Sequence, residues 1–131
     1  MNELAARAET AARAARLLLD QGDYVGAVSR AYYAMFDLAR AQLRDIDPKL
    51  AAAKTHTSII ARFSKHLVQE RGLPREIGRT FRRAFNARLL AEYSDTSVTF
   101  EQAKEAVEAM ERFFEAVLGR EGSASSDGRK T

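Results

Sequence analysis

Apolar residues recur at spacings of three and four along most of the chain, which is the periodicity of helices that bury one face. The pattern predicts five helices, over about residues 2–20, 24–44, 56–70, 74–92 and 100–118. The connection between the first two is so short that they should form an antiparallel hairpin. Gly22 can adopt a positive φ in that turn, and Asp23 can cap the second helix. The second helix has the broadest apolar arc, so it should lie at the centre of the fold.

Capping residues mark the remaining helix ends. Thr55 or Thr57 is expected to cap the third helix, and Thr99 with Gln102 forms a capping box before the fifth. Gly119 is expected to end the fifth helix, because the residues after it are glycine, serine and charged residues.

The composition favours a single helical domain. The chain has 131 residues, is 46% hydrophobic, and contains only two prolines and seven glycines. Adjacent β-branched residues are few, so strands are not expected. We therefore predict an all-α fold, an up-and-down bundle over residues 1–118, followed by a disordered polar tail over residues 119–131.

Arg88 interrupts the apolar face of the fourth predicted helix. At 100° per residue it shares that face with Ile77, Phe81 and Ala84. A guanidinium does not lose its proton and is costly to bury without a partner. Two explanations follow: either Glu92, one turn later, neutralises Arg88, or a phosphate binds there.

Charge is unevenly distributed, although the net charge is only +3. Residues 54–88 contain nine basic residues against two acidic ones, and residues 92–115 contain seven acidic residues against two basic ones. Part of the basic region forms a strip along the fourth helix: Arg75, Arg79, Arg82 and Arg83. The strip is either a phosphate-binding surface or an ordinary solvated face.

The second helix carries a polar arc in addition to its apolar one. Tyr33, Asp37 and Arg40 recur there at spacings of three and four. On a central helix such an arc can line a cleft or a partner or dimer surface, or it can be a solvated strip with internal ion pairs.

Several classes of chemistry lack their sequence motifs. The chain has no cysteine, and its two histidines, His56 and His66, are ten residues apart, so no metal site and no cofactor are expected. No glycine-rich phosphate loop or serine nucleophile motif is present. No apolar run is long enough to span a membrane, and the N-terminal region carries interspersed arginines, so we expect a cytoplasmic protein.

Polar residues gather at two predicted helix ends. Lys54, Thr55 and His56 begin the third helix, while Arg88 and Tyr93 lie near the end of the fourth. If these ends meet, then Lys54, Thr55 and Arg88 form a phosphate site, to which Arg82 and Arg83 of the basic strip would add charge. His56 is the candidate for proton exchange. The alternative is a satisfied capping network with an Arg88–Glu92 pair.

Three motifs in this order resemble the small bacterial and archaeal HEPN-domain proteins: Tyr32-Tyr33-Ala34-Met35-Phe36, then Lys54-Thr55-His56, then Arg88 with Ala91-Glu92-Tyr93. The similarity in order and spacing extends over roughly residues 4–118. It implies a helical bundle that pairs as a homodimer and is encoded beside a minimal nucleotidyltransferase, as a toxin and antitoxin couple. Many proteins of the family are metal-independent ribonucleases.

The sequence departs from the catalytic pattern of that family. In catalytic members an arginine is followed four to six residues later by a histidine; here the arginine position falls on Arg88, the histidine position falls near Tyr93, and no histidine follows. A phenol with a pKa of about 10 is a weak general base at neutral pH. Ribonuclease activity would then require His56 as a substitute. The resemblance also makes Tyr93 a candidate for nucleotidylation by the partner.

Two functional hypotheses follow. In the first, the chain binds RNA or nucleotide phosphate around Arg88, as one half of a toxin–antitoxin pair, with metal-independent RNA cleavage as an open question. In the second, it is a non-catalytic partner or substrate-binding module of a nucleotidyltransferase, and Arg88 is a structural ion pair.

Overall fold

The computed structural model describes residues 3–126 and contains no strand within them. The five α-helices are α1 Glu3–Asp20, α2 Tyr24–Ile46, α3 His56–Phe63, α4 Arg75–Tyr93 and α5 Phe100–Ser126. A 3₁₀ turn, Pro48–Ala52, connects α2 to α3, and a π-helical segment, Ser64–Glu70, continues α3. The predicted all-α fold is confirmed.

Helix α2 is the centre of the bundle, as its broad apolar arc predicted. It contacts each of the four other α-helices. Its closest neighbour is α1, whose Ala8, Ala12 and Ala15 are fully buried; such small side chains let two helix axes approach closely. The connecting turn is built as expected, with Gly22 at φ 85° and the Asp23 carboxylate accepting from the Gly26 N–H at 2.8 Å.

Three phenylalanine rings join the other helices on the far side of α2. Phe63 of α3, Phe81 of α4 and Phe113 of α5 are each 0% exposed. Their centroids lie 5.2–5.4 Å apart, and the pairs adopt tilted or edge-to-face arrangements that favour aromatic contact. The ring of Phe81 therefore fixes which face of α4 points inward, and Arg88 lies on the same helix, seven residues further.

The predicted helix caps are present. Thr55 accepts from the Ser58 N–H at 3.1 Å and begins α3. Before α5, Thr99 accepts from the Gln102 N–H at 3.1 Å, while the Gln102 amide oxygen accepts from the Thr99 N–H at 2.9 Å. This reciprocal pair is the capping box that the spacing predicted.

Two helix ends differ from the prediction. The third helix widens into π-type turns from Ser64, although it remains helical to Glu70. The end predicted at Gly119 is wrong, because α5 continues to Ser126. One internal glycine costs a helix only about 1 kcal/mol, and Gly119 does not adopt the positive φ that Gly22 and Gly72 adopt. Residues 127–131 of the predicted tail lie outside the described residues.

Replacing Phe113 with alanine is expected to lower the free energy of unfolding by about 3–5 kcal/mol, because the change removes a ring packed against two others and leaves a cavity. Urea denaturation measures the loss. The control is Leu17→Ala at a position 56% exposed, where a change below about 1 kcal/mol is expected. Equal losses in the two variants would contradict this packing.

Candidate functional site

The polar side chains that matter most lie where the middle of α2 meets the start of α3 and the second half of α4. Arg88 is only 7% exposed, on the inward face of α4, as its place in the apolar stripe predicted. Tyr32 and Tyr33 of α2, His56 of α3 and Phe85 of α4 surround it. We call these five residues the arginine cluster.

The guanidinium of Arg88 is neutralised within the protein. Its Nη1 donates to a Glu92 carboxylate oxygen and to the Tyr33 hydroxyl, both at 3.1 Å. The other oxygen of Glu92 accepts from the Ser29 hydroxyl at 2.7 Å. Both carboxylate oxygens of Glu92 therefore accept a hydrogen bond. Through Glu92–Ser29 and Arg88–Tyr33, α4 is hydrogen-bonded to α2. Of the two explanations for Arg88 on an apolar face, neutralisation by Glu92 or a bound phosphate, the structure contains the ion pair with Glu92.

Aromatic rings provide most of the remaining surroundings of Arg88. Its guanidinium carbon lies 5.3, 5.4 and 5.7 Å from the ring centroids of Tyr32, Tyr33 and Phe85. Contacts of this length are favourable cation–π interactions, especially away from water. The Arg88 Nε atom is buried and has no hydrogen-bond partner in the described part of the chain. The rings therefore offset part of the cost of burying that nitrogen.

His56 is held in the same cluster through Tyr32. The Tyr32 hydroxyl lies 2.7 Å from His56 Nδ1, and the imidazole packs 4.5 Å from the Phe36 ring and 5.9 Å from that of Phe85. Burial lowers the pKa of His56, and the nearby positive charge of Arg88 lowers it further. Burial also raises the pKa of Tyr32. At neutral pH the imidazole is therefore uncharged and the phenol keeps its proton.

The hydrogen-bond network fixes the tautomer of His56. Tyr32 is fully buried, and His56 is its hydrogen-bond partner, so its O–H would lack an acceptor unless it donates to Nδ1. The ring proton of His56 then resides on Nε2. This nitrogen is a hydrogen-bond donor, which suits a phosphate oxygen better than it suits proton abstraction.

The arginine cluster brings together three of the predicted site residues, Arg88, His56 and Tyr33. Arg88 and His56 lie 32 positions apart in sequence, yet both contact the rings of the same two tyrosines. One of these rings belongs to Tyr33, which was predicted to lie at a partner surface. Thr55 adjoins the cluster but uses its side chain as the α3 cap. Lys54 is exposed beside it, and no carboxylate pairs with its amine among residues 3–126.

Three further predicted residues lie on other faces of α4. Tyr93 is 76% exposed at the end of α4, and five positions after Arg88 it points about 140° away around the helix. No ring contact or hydrogen bond joins it to Arg88 in the described structure. Arg82 and Arg83 lie on the outer face of α4, where Arg83 pairs with Glu76 at 3.0 Å. They are not part of the arginine cluster.

The rest of the polar arc of α2 has separate contacts. The Arg40 Nε donates to the Ala51 carbonyl at 3.2 Å, and its guanidinium lies 5.8 Å from the Phe36 ring. Asp37 lines a groove between α1 and α2 with Arg7 and Arg30. Burial raises the pKa of Asp37, and these arginines oppose that shift. The arc is half-buried rather than an ordinary solvated strip.

Sequence reasoning missed the residues that hold Arg88 and His56 in place. The sequence pattern assigns no site role to Ser29, Tyr32 or Phe85, yet Ser29 orients Glu92 and Tyr32 orients His56. A signal was available: Ser29 and Tyr33 lie four residues apart on α2, so their hydroxyls lie on one side of that helix, next to its apolar arc. A buried arginine requires acceptors of this kind on a neighbouring helix.

Across residues 3–126, no helix combines the length and apolar character needed to cross a bilayer. Within the same range, no three side chains of the metal-binding types His, Cys, Asp or Glu gather in one place.

Because the pKa of folded His56 is lowered, the unfolded chain binds that proton more readily. The stability due to neutral His56 is therefore present above the unfolded pKa of about 6.5 and is lost as the pH falls through the lower folded value. Between about pH 7.5 and pH 5 the melting temperature of the wild type is expected to fall further than that of His56→Gln. Parallel pH dependences would argue against a buried neutral imidazole.

Removing the Arg88 guanidinium should leave the partly buried Glu92 carboxylate without its cation. We expect Arg88→Ala to lower the unfolding free energy by about 2–4 kcal/mol; the loss is below that of a fully buried pair because the Glu92 side chain is 26% exposed. Arg88→Ala/Glu92→Gln should lose less than the sum of its two single changes. Lys104→Ala, which breaks an exposed pair of the same spacing, is the control and should cost under about 1 kcal/mol. Similar melting curves for Arg88→Ala and this control would rule out a structural pair.

Comparisons with known proteins agree with this architecture. Residues 1–121 match the HEPN domain. A UPF0332 protein of Gloeobacter violaceus is 40% identical over 91 residues, which are 70% of each chain. A candidate toxin of Methanocaldococcus jannaschii is 31% identical over 112 residues, covering 84% of this chain and 80% of the archaeal protein. The HEPN match spans nearly the whole described bundle, so the chain belongs to the HEPN domain family.

Proposed function

We propose that this chain is a toxin-like HEPN module that binds RNA or nucleotide phosphate, as one half of a pair with a minimal nucleotidyltransferase. In this proposal it acts in the cytoplasm as a homodimer. Membership of the HEPN family and the similarity to a candidate toxin support the general class. The ligand, the partner and the dimer are the parts that the following argument and experiment address.

One observation supports a phosphate ligand: Arg88 and His56 contact the same set of aromatic rings. A fixed positive charge and an Nε2–H donor are the groups that bind a phosphate oxygen. The exposed amine of Lys54 lies two residues before His56, and the start of α3 adds the positive end of a helix dipole. In the proposed complex, phosphate binds at the edge of the cluster, next to His56 and Lys54.

Binding is better supported than cleavage. The histidine position of catalytic relatives is near Tyr93, whose phenol is exposed and points away from Arg88. His56 carries its proton on Nε2, so it could accept a proton from a 2′-hydroxyl only after the Tyr32 hydrogen bond is rearranged. A metal-independent ribonuclease would therefore depend on His56.

A second candidate function also has a specific observation in its favour. The 3.1 Å Arg88–Glu92 pair and the burial of Arg88 suit a structural role. The chain would then be a non-catalytic partner module of the nucleotidyltransferase, with no affinity for RNA.

Filter retention of labelled total RNA in excess chelator distinguishes these functions. We expect the wild type to retain RNA, and Lys54→Ala and His56→Gln each to weaken retention about tenfold, because each removes one donor or charge to phosphate. His66→Gln is the matched control, since His66 pairs with Glu70 on the π-helical segment, away from the arginine cluster.

The same samples, run on a gel, decide between binding and cleavage. RNA cut by wild type and His66→Gln, and intact with His56→Gln, would identify a nuclease. Retention without cutting would identify a binding module. If neither occurs, the RNA proposal fails and the partner-module function is favoured.

A further inference from the structure

A second surface, separate from the arginine cluster, lies between the π-helical segment and α4. It is a half-open groove of about 620 Å³. Ile60, Val68 and Leu73 form its aliphatic floor, while Ser64 and Gln69 add a hydroxyl and an amide to one wall. The opposite wall belongs to α4 and is basic.

The basic wall is regular. Arg75, Arg79 and Arg82 line the groove from α4 at spacings of four and three residues, so they lie on one face of the helix along about 10 Å of its axis. Arg79 forms a salt bridge with Glu76, with 3.0 Å between Nη2 and Oε1. Arg75 and Arg82 pair with no carboxylate in the part of the chain that the structure describes. Two of the three cations are therefore available to a ligand.

The π-helical segment and Gly78 determine the shape of the groove. A π-helix is wider than an α-helix; it is rare, and it is frequently found at functional sites. Opposite it, a Cβ atom placed on Gly78 would lie 3.5 Å from Val68 Cγ2 and 3.9 Å from Ser64 Oγ. Because glycine lacks that atom, the α4 backbone itself forms part of the groove, between the aliphatic floor and the arginines.

The chemistry of the lining distinguishes between two kinds of anionic ligand. No aromatic side chain lines the groove, so it has no platform on which RNA bases could stack. An aliphatic floor beside a row of arginines instead complements a surface with one apolar stripe and one acidic stripe. A helix has this form when its carboxylates follow the same spacing of three and four residues as the arginines.

We infer that this groove is the docking site for an acidic amphipathic helix of a partner protein. The aliphatic residues of that helix contact Ile60, Val68 and Leu73. Its Asp or Glu side chains pair with Arg75 and Arg82. The inference is independent of phosphate binding at the arginine cluster, because Arg82 and Arg88 lie on different faces of α4.

The test uses a labelled synthetic helix of about 18 residues, long enough to be partly helical in water, with one leucine stripe and glutamates spaced like the arginines. Fluorescence anisotropy measures its binding. Arg75→Glu/Arg82→Glu is expected to bind it at least about tenfold more weakly, and to bind a lysine version of the peptide more tightly than the wild type does. The matched control, Arg13→Glu/Arg44→Glu, changes the net charge equally at exposed sites outside the groove and should bind like the wild type.

Three results would overturn the inference. The first is equal binding, or no binding, of the acidic peptide by the wild type and Arg75→Glu/Arg82→Glu. The second is binding of a scrambled peptide, with the same residues but no apolar stripe, as tight as that of the designed one. The third is binding of a short single-stranded RNA that depends on Arg75 and Arg82 and displaces the peptide, which would make the groove a nucleic-acid site. Unchanged RNA retention by the groove variant would show that any failure here leaves the arginine cluster unaffected.

Discussion

The buried ion pair between Arg88 and Glu92 determines the arrangement of the other polar groups in this bundle. A guanidinium on the inward face of α4 must find acceptors and rings, and α2 provides them through Ser29, Tyr32 and Tyr33. Glu92 is shared between Arg88 and Ser29, so α4 cannot rotate or slide along α2 without losing several contacts together. The contacts of Phe81 with Phe63 and Phe113 fix the same inward face of α4 two turns earlier.

That arrangement gives His56 its chemical character. The positive charge of Arg88 and the burial of the ring both disfavour a charged imidazole, and Tyr32 selects one tautomer. His56 is thus a neutral donor with a fixed orientation, beside a cation that is already paired. The positive centre of the cluster is held in place by its pair with Glu92.

Much of the fold was predictable, but less of the site was. Helical periodicity located all five helices and the Thr55 and Thr99 caps because these features depend on neighbours within a few residues. The same periodicity identified Arg88 as anomalous. The residues that explain the anomaly come from another helix, and a periodicity calculation contains no information about which faces meet. Tyr93 illustrates the limit: it follows Arg88 in sequence, yet helix rotation places it on another side of α4.

The ion pair also affects how the site responds to heat. The hydration of charged groups becomes less favourable as temperature rises, so the cost of keeping Arg88 and Glu92 out of water decreases, whereas hydrophobic stabilisation levels off. The contacts between α2 and α4 at the arginine cluster therefore contribute a growing share of the stability of the bundle on warming. The net cost of burying the Arg88–Glu92 pair thus falls on warming, whereas an aliphatic side chain at position 88 would add no further stabilisation once the hydrophobic contribution has levelled off.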